Sequence, residues 1–222
     1  MSNTGKEGFE PPEKRAKADG NSMEHVVTST GFDPRYNGPT LEEMTPEQRE
    51  LRDTILASRP GTGLNGPFGP WLAVIDIARP AQQLGKAVRY GTSLSFRESE
   101  LVILLTGAKA KSHTEFDLHV GEALKAGLSM DIISAIPRDD KFSLQAVKDF
   151  VIPRLANERE TAIATFTAEL LETYSVCDET YNMAKAALDG KDSVLVEITS
   201  IAGYYTYVSY TLNAFRIPSK MK

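Results

Sequence analysis

Apolar residues recur at helical spacing along most of the chain, and no run of alternating β-branched residues reads as a strand. The clearest stripe is near the C-terminus. Val194, Ile198, Ile201, Tyr205, Val208, Leu212 and Phe215 are separated by 4, 3, 4, 3, 4 and 3 residues, the pattern of a helix with one face on a core or on another subunit. Residues 194–215 could span a bilayer by length. Glu197, Asn213 and five Ser/Thr interrupt the segment and no charged belt precedes it, so it reads as a soluble helix.

Punctuation supplies the other boundaries. Thr45-Pro46-Glu47-Gln48 opens a helix, with Thr45 as N-cap, proline at the first helical position and Gln48 at the third. That helix reaches about Ser58 and stops before Pro60. Residues 60–70 are a loop by composition. Trp71 starts a short apolar segment ending near Pro80, and residues 81–91 form a helix closed by Gly91. Ser95-x-x-Glu98 is a capping box, and the helix after it is apolar almost all round, which predicts a central, buried position. A second helix runs from His113 to Ala126, with Gly127 placed to end it. Further helices are expected at 129–136, 143–155, 158–174, 178–189 and 193–216. The reading is all-α: one helical domain over 41–218 built on a helix-hairpin core, preceded by a tail and extended arm over 1–40.

Composition narrows the chemistry. The 222 residues are 41% hydrophobic and 25% charged, with net charge −5, enough to build a core and too acidic for a nucleic-acid surface. One cysteine excludes an internal disulfide, a CxxC centre and a thiolate-rich zinc site within one chain. Only Met1, Phe9, Ala16 and Ala18 are apolar in the first 22 residues, so this stretch reads as a disordered tail and not a secretory signal. Lys14-Arg15-Ala16-Lys17 is read as part of that solvated tail ahead of a nuclear-import patch. A cytoplasmic protein is the expectation.

The hairpin 96–126 carries the candidate chemistry. Glu115 and His119 stand four apart on one helix face. Glu100 sits beside an apolar stripe, an odd place for a carboxylate, and an antiparallel hairpin turning at Lys111–Ser112 would bring it near His119 or beyond. In a partly dry pocket, burial would raise a carboxylate and nearby carboxylates would keep the imidazole basic, so that both titrate near neutrality. Structural alternatives stand beside this reading. Ser112-x-x-Glu115 is itself a capping box, Glu100 could be a helix-start carboxylate favoured by the dipole, and His119 could be a satisfied core histidine.

Residues 96–136 resemble the carboxymuconolactone decarboxylase family, which includes the alkyl hydroperoxidase D (AhpD-like) group. The resemblance rests on Glu115-Phe116-Asp117-Leu118-His119, Ala123 and Gly127 after a helix containing Arg97, Glu98 and Glu100. It extends more loosely over 41–218. It implies an all-α AhpD-like fold and a homo-oligomer, as dimer, trimer or hexamer. The redox branch of the family reads E-x11-C-x-x-C-x-x-x-H. Aligned on Glu100 and His119, its two cysteines fall at Ser112 and Glu115, so thiol peroxidase chemistry lacks its nucleophile here. Cys177 is distant in sequence and reads as a buried or helix-cap residue. The decarboxylase branch carries a Glu and a His four apart, as here, but has a second histidine on its last helix, where this chain offers tyrosines and Asn213.

The resemblance therefore implies a cofactor-independent lyase or isomerase acting on a small oxygenated molecule such as a lactone or keto acid. Glu115, His119 and Glu100 would be catalytic, Trp71, Phe68 and Tyr205 would bind substrate, and no metal or cofactor would be required. Arg97, Lys109 and Lys111 are candidates to meet an anionic substrate, against a plainer role as solvated charges. A non-catalytic oligomeric scaffold or small-molecule-binding protein is the alternative.

Overall fold

In the computed structural model, which describes residues 34–58, 64 and 66–218, the helices are organised around one that is buried on all sides over residues 98–108. Ten α-helices are present among these residues: α1 (Pro46–Ser58), α2 (Phe68–Trp71), α3 (Ile75–Tyr90), α4 (Phe96–Lys109), α5 (His113–Lys125), α6 (Met130–Ala135), α7 (Leu144–Ala146), α8 (Glu158–Thr173), α9 (Asp178–Ala187) and α10 (Asp192–Phe215). No strand occurs among them. The tail over 1–33 lies outside the described residues.

The α4 helix is central, as its pattern predicts. Val102 and Ile103 join a core built with α1, α3 and α10. Leu101, Leu104 and Leu105 join a second core with α5, α6, α8 and residues 147–151. A helix that is apolar all round is stable only between two such layers. Its start is fixed by the expected capping box: Ser95 Oγ accepts from the Glu98 amide and the Glu98 carboxylate accepts from the Ser95 amide. The Thr45–Gln48 box at α1 forms in the same way. At the far end of α5, Gly127 takes φ +92°, and the Gly127 and Leu128 amides donate to the carbonyls of Leu124 and Ala123. That double bond pattern turns the chain sharply out of the hairpin.

Two elements differ from the pattern-based expectation, both at prolines. The α3 helix begins at Ile75 and runs through Pro80 rather than starting after it. Pro80 is on the exposed side, so water can satisfy the carbonyl that loses its amide partner. The expected helix over 143–155 changes winding instead. After α7, residues 147–151 form a π turn, with the Ile152 amide donating to Val147 O, and 152–154 tighten to 3-10 geometry. Pro153 cannot donate to the preceding turn, and the wider turn takes up the mismatch.

The described part of the arm, from residue 34, is pinned at two points. The Arg35 amide donates to Phe215 O at 2.9 Å, and the Tyr36 and Phe215 rings lie 6.0 Å apart. Gly38 (φ +97°) and Gly69 meet backbone to backbone: a Cβ on Gly38 would lie 2.1 Å from Gly69 O. On α10 the predicted stripe is buried from Val194 to Leu212. Its opposite face carries Val196, Gly203, Tyr207, Tyr210 and Ala214 exposed and uncharged, while Glu197 turns to accept from Ser93. No helix of the described residues is long and apolar enough to cross a membrane.

Candidate functional site

Four helices converge on His119. Glu100 comes from the buried centre of α4, Glu115 and His119 from one face of α5, Arg89 from the last turn of α3 and Tyr205 from the middle of α10. The hairpin brings Glu100 Oε2 to 2.8 Å from His119 Nδ1. Glu115 Oε1 lies 3.1 Å from Nε2 on the other edge of the ring. Oε1 is buried, and its contact with Nε2 is an ion pair rather than an aligned hydrogen bond. Gly107 permits the close α4–α5 crossing, since a Cβ there would stand 3.3 Å from the Phe116 amide nitrogen. The Tyr205 ring meets the imidazole edge-on at 5.2 Å between centroids.

Ser112 does not cap α5 with its side chain, and its hydroxyl is buried without a hydrogen-bond partner. The alternative reading of Glu115 as a capping-box residue is therefore not realised. Nor is Glu100 a helix-start carboxylate. It is 1% exposed and pairs with both His119 and Arg89.

Arg89 is the member that sequence reasoning misses. Its Nη1 lies 2.6 Å from Glu100 Oε1 and 3.4 Å from His119 Nδ1, and Nη2 faces Glu122 at 3.7 Å. The one sequence signal for it is indirect: a carboxylate placed in an apolar stripe must find a cation.

These contacts reverse the expected titration. Burial alone would raise Glu100, but the His119 and Arg89 charges outweigh it and hold its carboxyl below the usual range. Burial alone would lower His119, but the charge of Glu115 and the hydrogen-bonded Glu100 push it up to about 9. At neutral pH the cluster is therefore an imidazolium and a guanidinium among carboxylates, not a set of groups poised near 7. Burial also raises the Tyr205 phenol, keeping it protonated.

The other sequence-predicted residues divide. Tyr205 is at the site. Phe68 and Trp71 are buried elsewhere on α10: the Trp71 ring stacks on Tyr207 at 4.7 Å, meets Phe68 edge-on at 5.7 Å, and donates its indole N–H to Thr211 Oγ1 at 3.0 Å. A chain of ring contacts links Trp71 to His119 through Tyr204 and Tyr205, whose rings stand edge-on at 5.3 Å. Asn213, where the resemblance leads one to look for a second histidine, donates to Ala110 O and ties α10 to the α4–α5 turn. The three candidate cations are engaged elsewhere. Arg97 pairs with Glu160 and donates to Gly127 O, Lys111 pairs with Asp140, and Lys109 lies over the Phe142 ring. Cys177 is exposed at the N-cap of α9, its sulfur 3.5 Å from Thr180 Oγ1, on none of the helices that build the His119 site.

No protein-family model and no curated protein matches the chain. Solved structures do. A protein of unknown function from Agrobacterium tumefaciens, suggested to be the antioxidant defence protein AhpD, is 18% identical with a TM-score of 0.57, covering 71% of this chain and all of that one. The debrominase Bmp8, as a variant in complex with 2,3,4-tribromopyrrole, is 12% identical with a TM-score of 0.61, covering 90% of this chain and 94% of that one. Its apo form gives 0.60 over the same shares. At such identities the likeness speaks for architecture, and the architecture is unambiguous: the chain has the all-α AhpD-like fold.

Proposed function

We propose that the protein is an acid–base enzyme, a cofactor-independent lyase or isomerase acting on a small oxygenated substrate such as a keto acid or lactone. One observation carries this reading: a histidine with a buried carboxylate at each ring nitrogen, itself 13% exposed at the side chain. Nδ1–H is held by Glu100, which fixes the ring and its charge. Nε2–H makes no aligned bond, so it is the proton that can leave. His119 would act as the general acid, delivering that proton to an enolate or carbonyl oxygen, and Glu115 would accept a substrate proton or restore the imidazolium. For a β-keto acid, the C–C bond to the carboxylate breaks, its electron pair enters the adjacent carbonyl as an enolate, and one proton from His119 completes the ketone and carbon dioxide.

A thiol mechanism has no support here, since Ser112 and Glu115 occupy the positions where the redox pattern places cysteines. The debrominase and the AhpD-like neighbour share the architecture only. The test is turnover on a panel of β-keto acids and lactones by wild type, His119→Ala and Glu115→Gln. The reading expects wild-type turnover lost in both variants while circular dichroism stays helical. Undiminished turnover in both variants removes His119 and Glu115 from the chemistry, and no turnover by any form favours a binding or scaffold role.

A further inference from the structure

The Arg89 guanidinium has two edges with different surroundings. The inner one is committed: Nη1 lies 2.6 Å from the buried Glu100 carboxylate. The outer one is not held in the same way. Nη2 faces Glu122 Oε2 at 3.7 Å, too long for a hydrogen bond, and the half-exposed Glu122 carboxylate instead accepts from Lys125 Nζ through Oε1 at 2.7 Å. Arg89 itself keeps 17% of its side-chain exposure, and the His119 ring beside it 13%. Beside the imidazolium, Arg89 thus keeps Nη2 without a hydrogen bond to Glu122, whose carboxylate is shared with Lys125, while the Tyr205 phenol lies against the same guanidinium. A guanidinium edge matches the planar, two-oxygen geometry of a carboxylate, and the keto-acid reading of the site favours that group.

We propose that Arg89 is the anion-docking residue of this site and that the substrate carries a carboxylate, which takes the place of Glu122 on the outer edge of the guanidinium. This deepens the acid–base reading and rests on it for the identity of the reaction, but not for the binding step. The arrangement explains why one arginine can serve both roles. Glu100 neutralises the inner edge and locks the side chain, and the docked carboxylate would lie within reach of His119. Glu122 is the resident competitor. Its charge keeps the edge occupied until a better-placed anion arrives, and removing that charge makes the site more receptive to anions.

The probe is levulinate, a stable keto carboxylate, against methyl levulinate, its neutral ester. Binding is read by NMR from the ring C–H signals of His119 at neutral pH and fixed ionic strength. Levulinate is expected to shift these signals saturably and the ester not to. Glu122→Gln should tighten levulinate about fivefold, the scale of one unit charge removed at this distance near water. Arg89→Lys retains a charge for Glu100 but loses the planar edge, and should abolish saturable binding with the fold intact. Equal binding of acid and ester, or an unchanged levulinate affinity in Glu122→Gln, overturns the proposal, even where Arg89→Lys fails to fold. The two readings fail separately. Carboxylate binding without turnover by any form removes the enzyme and keeps the docking site. His119-dependent turnover confined to neutral substrates does the reverse.

Discussion

Replacing Arg89 with methionine removes the guanidinium that Glu100 touches while keeping much of the side-chain volume. Glu100 is 1% exposed, and breaking a buried ion pair from one side costs about 3–5 kcal/mol because the remaining charge is stranded. Here the carboxylate still has His119 at 2.8 Å, so we expect the lower part of that range or slightly less, about 2–4 kcal/mol at pH 7. The assay is urea denaturation followed by helical circular dichroism, on Arg89→Met, Glu100→Gln and the double variant. With Glu100 neutral, Arg89→Met has less to strand, so the double variant should be less destabilised than the sum of the singles by at least about 1 kcal/mol. The penalty in Arg89→Met should also shrink as pH falls, because a stranded carboxyl can take up a proton. A loss below about 0.5 kcal/mol, or strict additivity in the cycle, would refute the claim that Arg89, together with His119, keeps Glu100 charged in the core.

Four further outcomes are expected. His119, raised from 6.5 to about 9 in the fold, contributes stability that is complete below about pH 6.5 and is lost as pH rises through about 9. Integrated, this is at most roughly 3 kcal/mol, and a flat denaturation midpoint from about pH 6 to 9.5 would contradict it. Glu100, held low, acts in the opposite sense, its contribution present above the usual 4.5 and lost as pH falls toward its lowered value. Gly38→Ala must displace the arm, because its Cβ would strike Gly69 O at φ +97°. A loss of at least about 1 kcal/mol and faster proteolysis after Arg35 should follow. The uncharged exposed face of α10 (Val196, Gly203, Tyr207, Tyr210) leads us to propose a homo-oligomer. Light scattering should return a multiple of the 24.4 kDa chain, reduced by Tyr210→Lys.

The parts of this molecule that are legible in sequence are those governed by local rules. The Ser95–Glu98 box, the Gly127 stop and the largely apolar α4 each follow from patterns within a few residues, and the structure has them where the pattern puts them. Glu115 and His119 share a face by helical spacing alone, and hairpin geometry is enough to point Glu100 at His119. Arg89 is not legible, because its partnership with Glu100 depends on how α3 crosses α4, which no spacing within either helix encodes. The direction of titration is hidden for a related reason: spacing points Glu100 toward His119, but neither the hydrogen bond between them nor the added Arg89 pair, which together outweigh burial, can be read from it. Phe68 and Trp71 resemble pocket residues by their loop and aromatic character, but an indole N–H that finds Thr211 on a distant helix is a tertiary fact. Pro80 reads as a break because sequence does not say which side of α3 faces water, and only on the buried side would the lost hydrogen bond be prohibitive.

The most direct test of the account is the titration of His119 itself, followed through its ring C–H resonances in wild type and in Glu115→Gln. The account predicts an imidazolium that persists well past neutrality, with a midpoint near 9, and a clear fall when the Glu115 charge is removed. A wild-type midpoint at or below the ordinary 6.5, or one indifferent to Glu115, would contradict the claim that the two carboxylates hold His119 as the acid of this site.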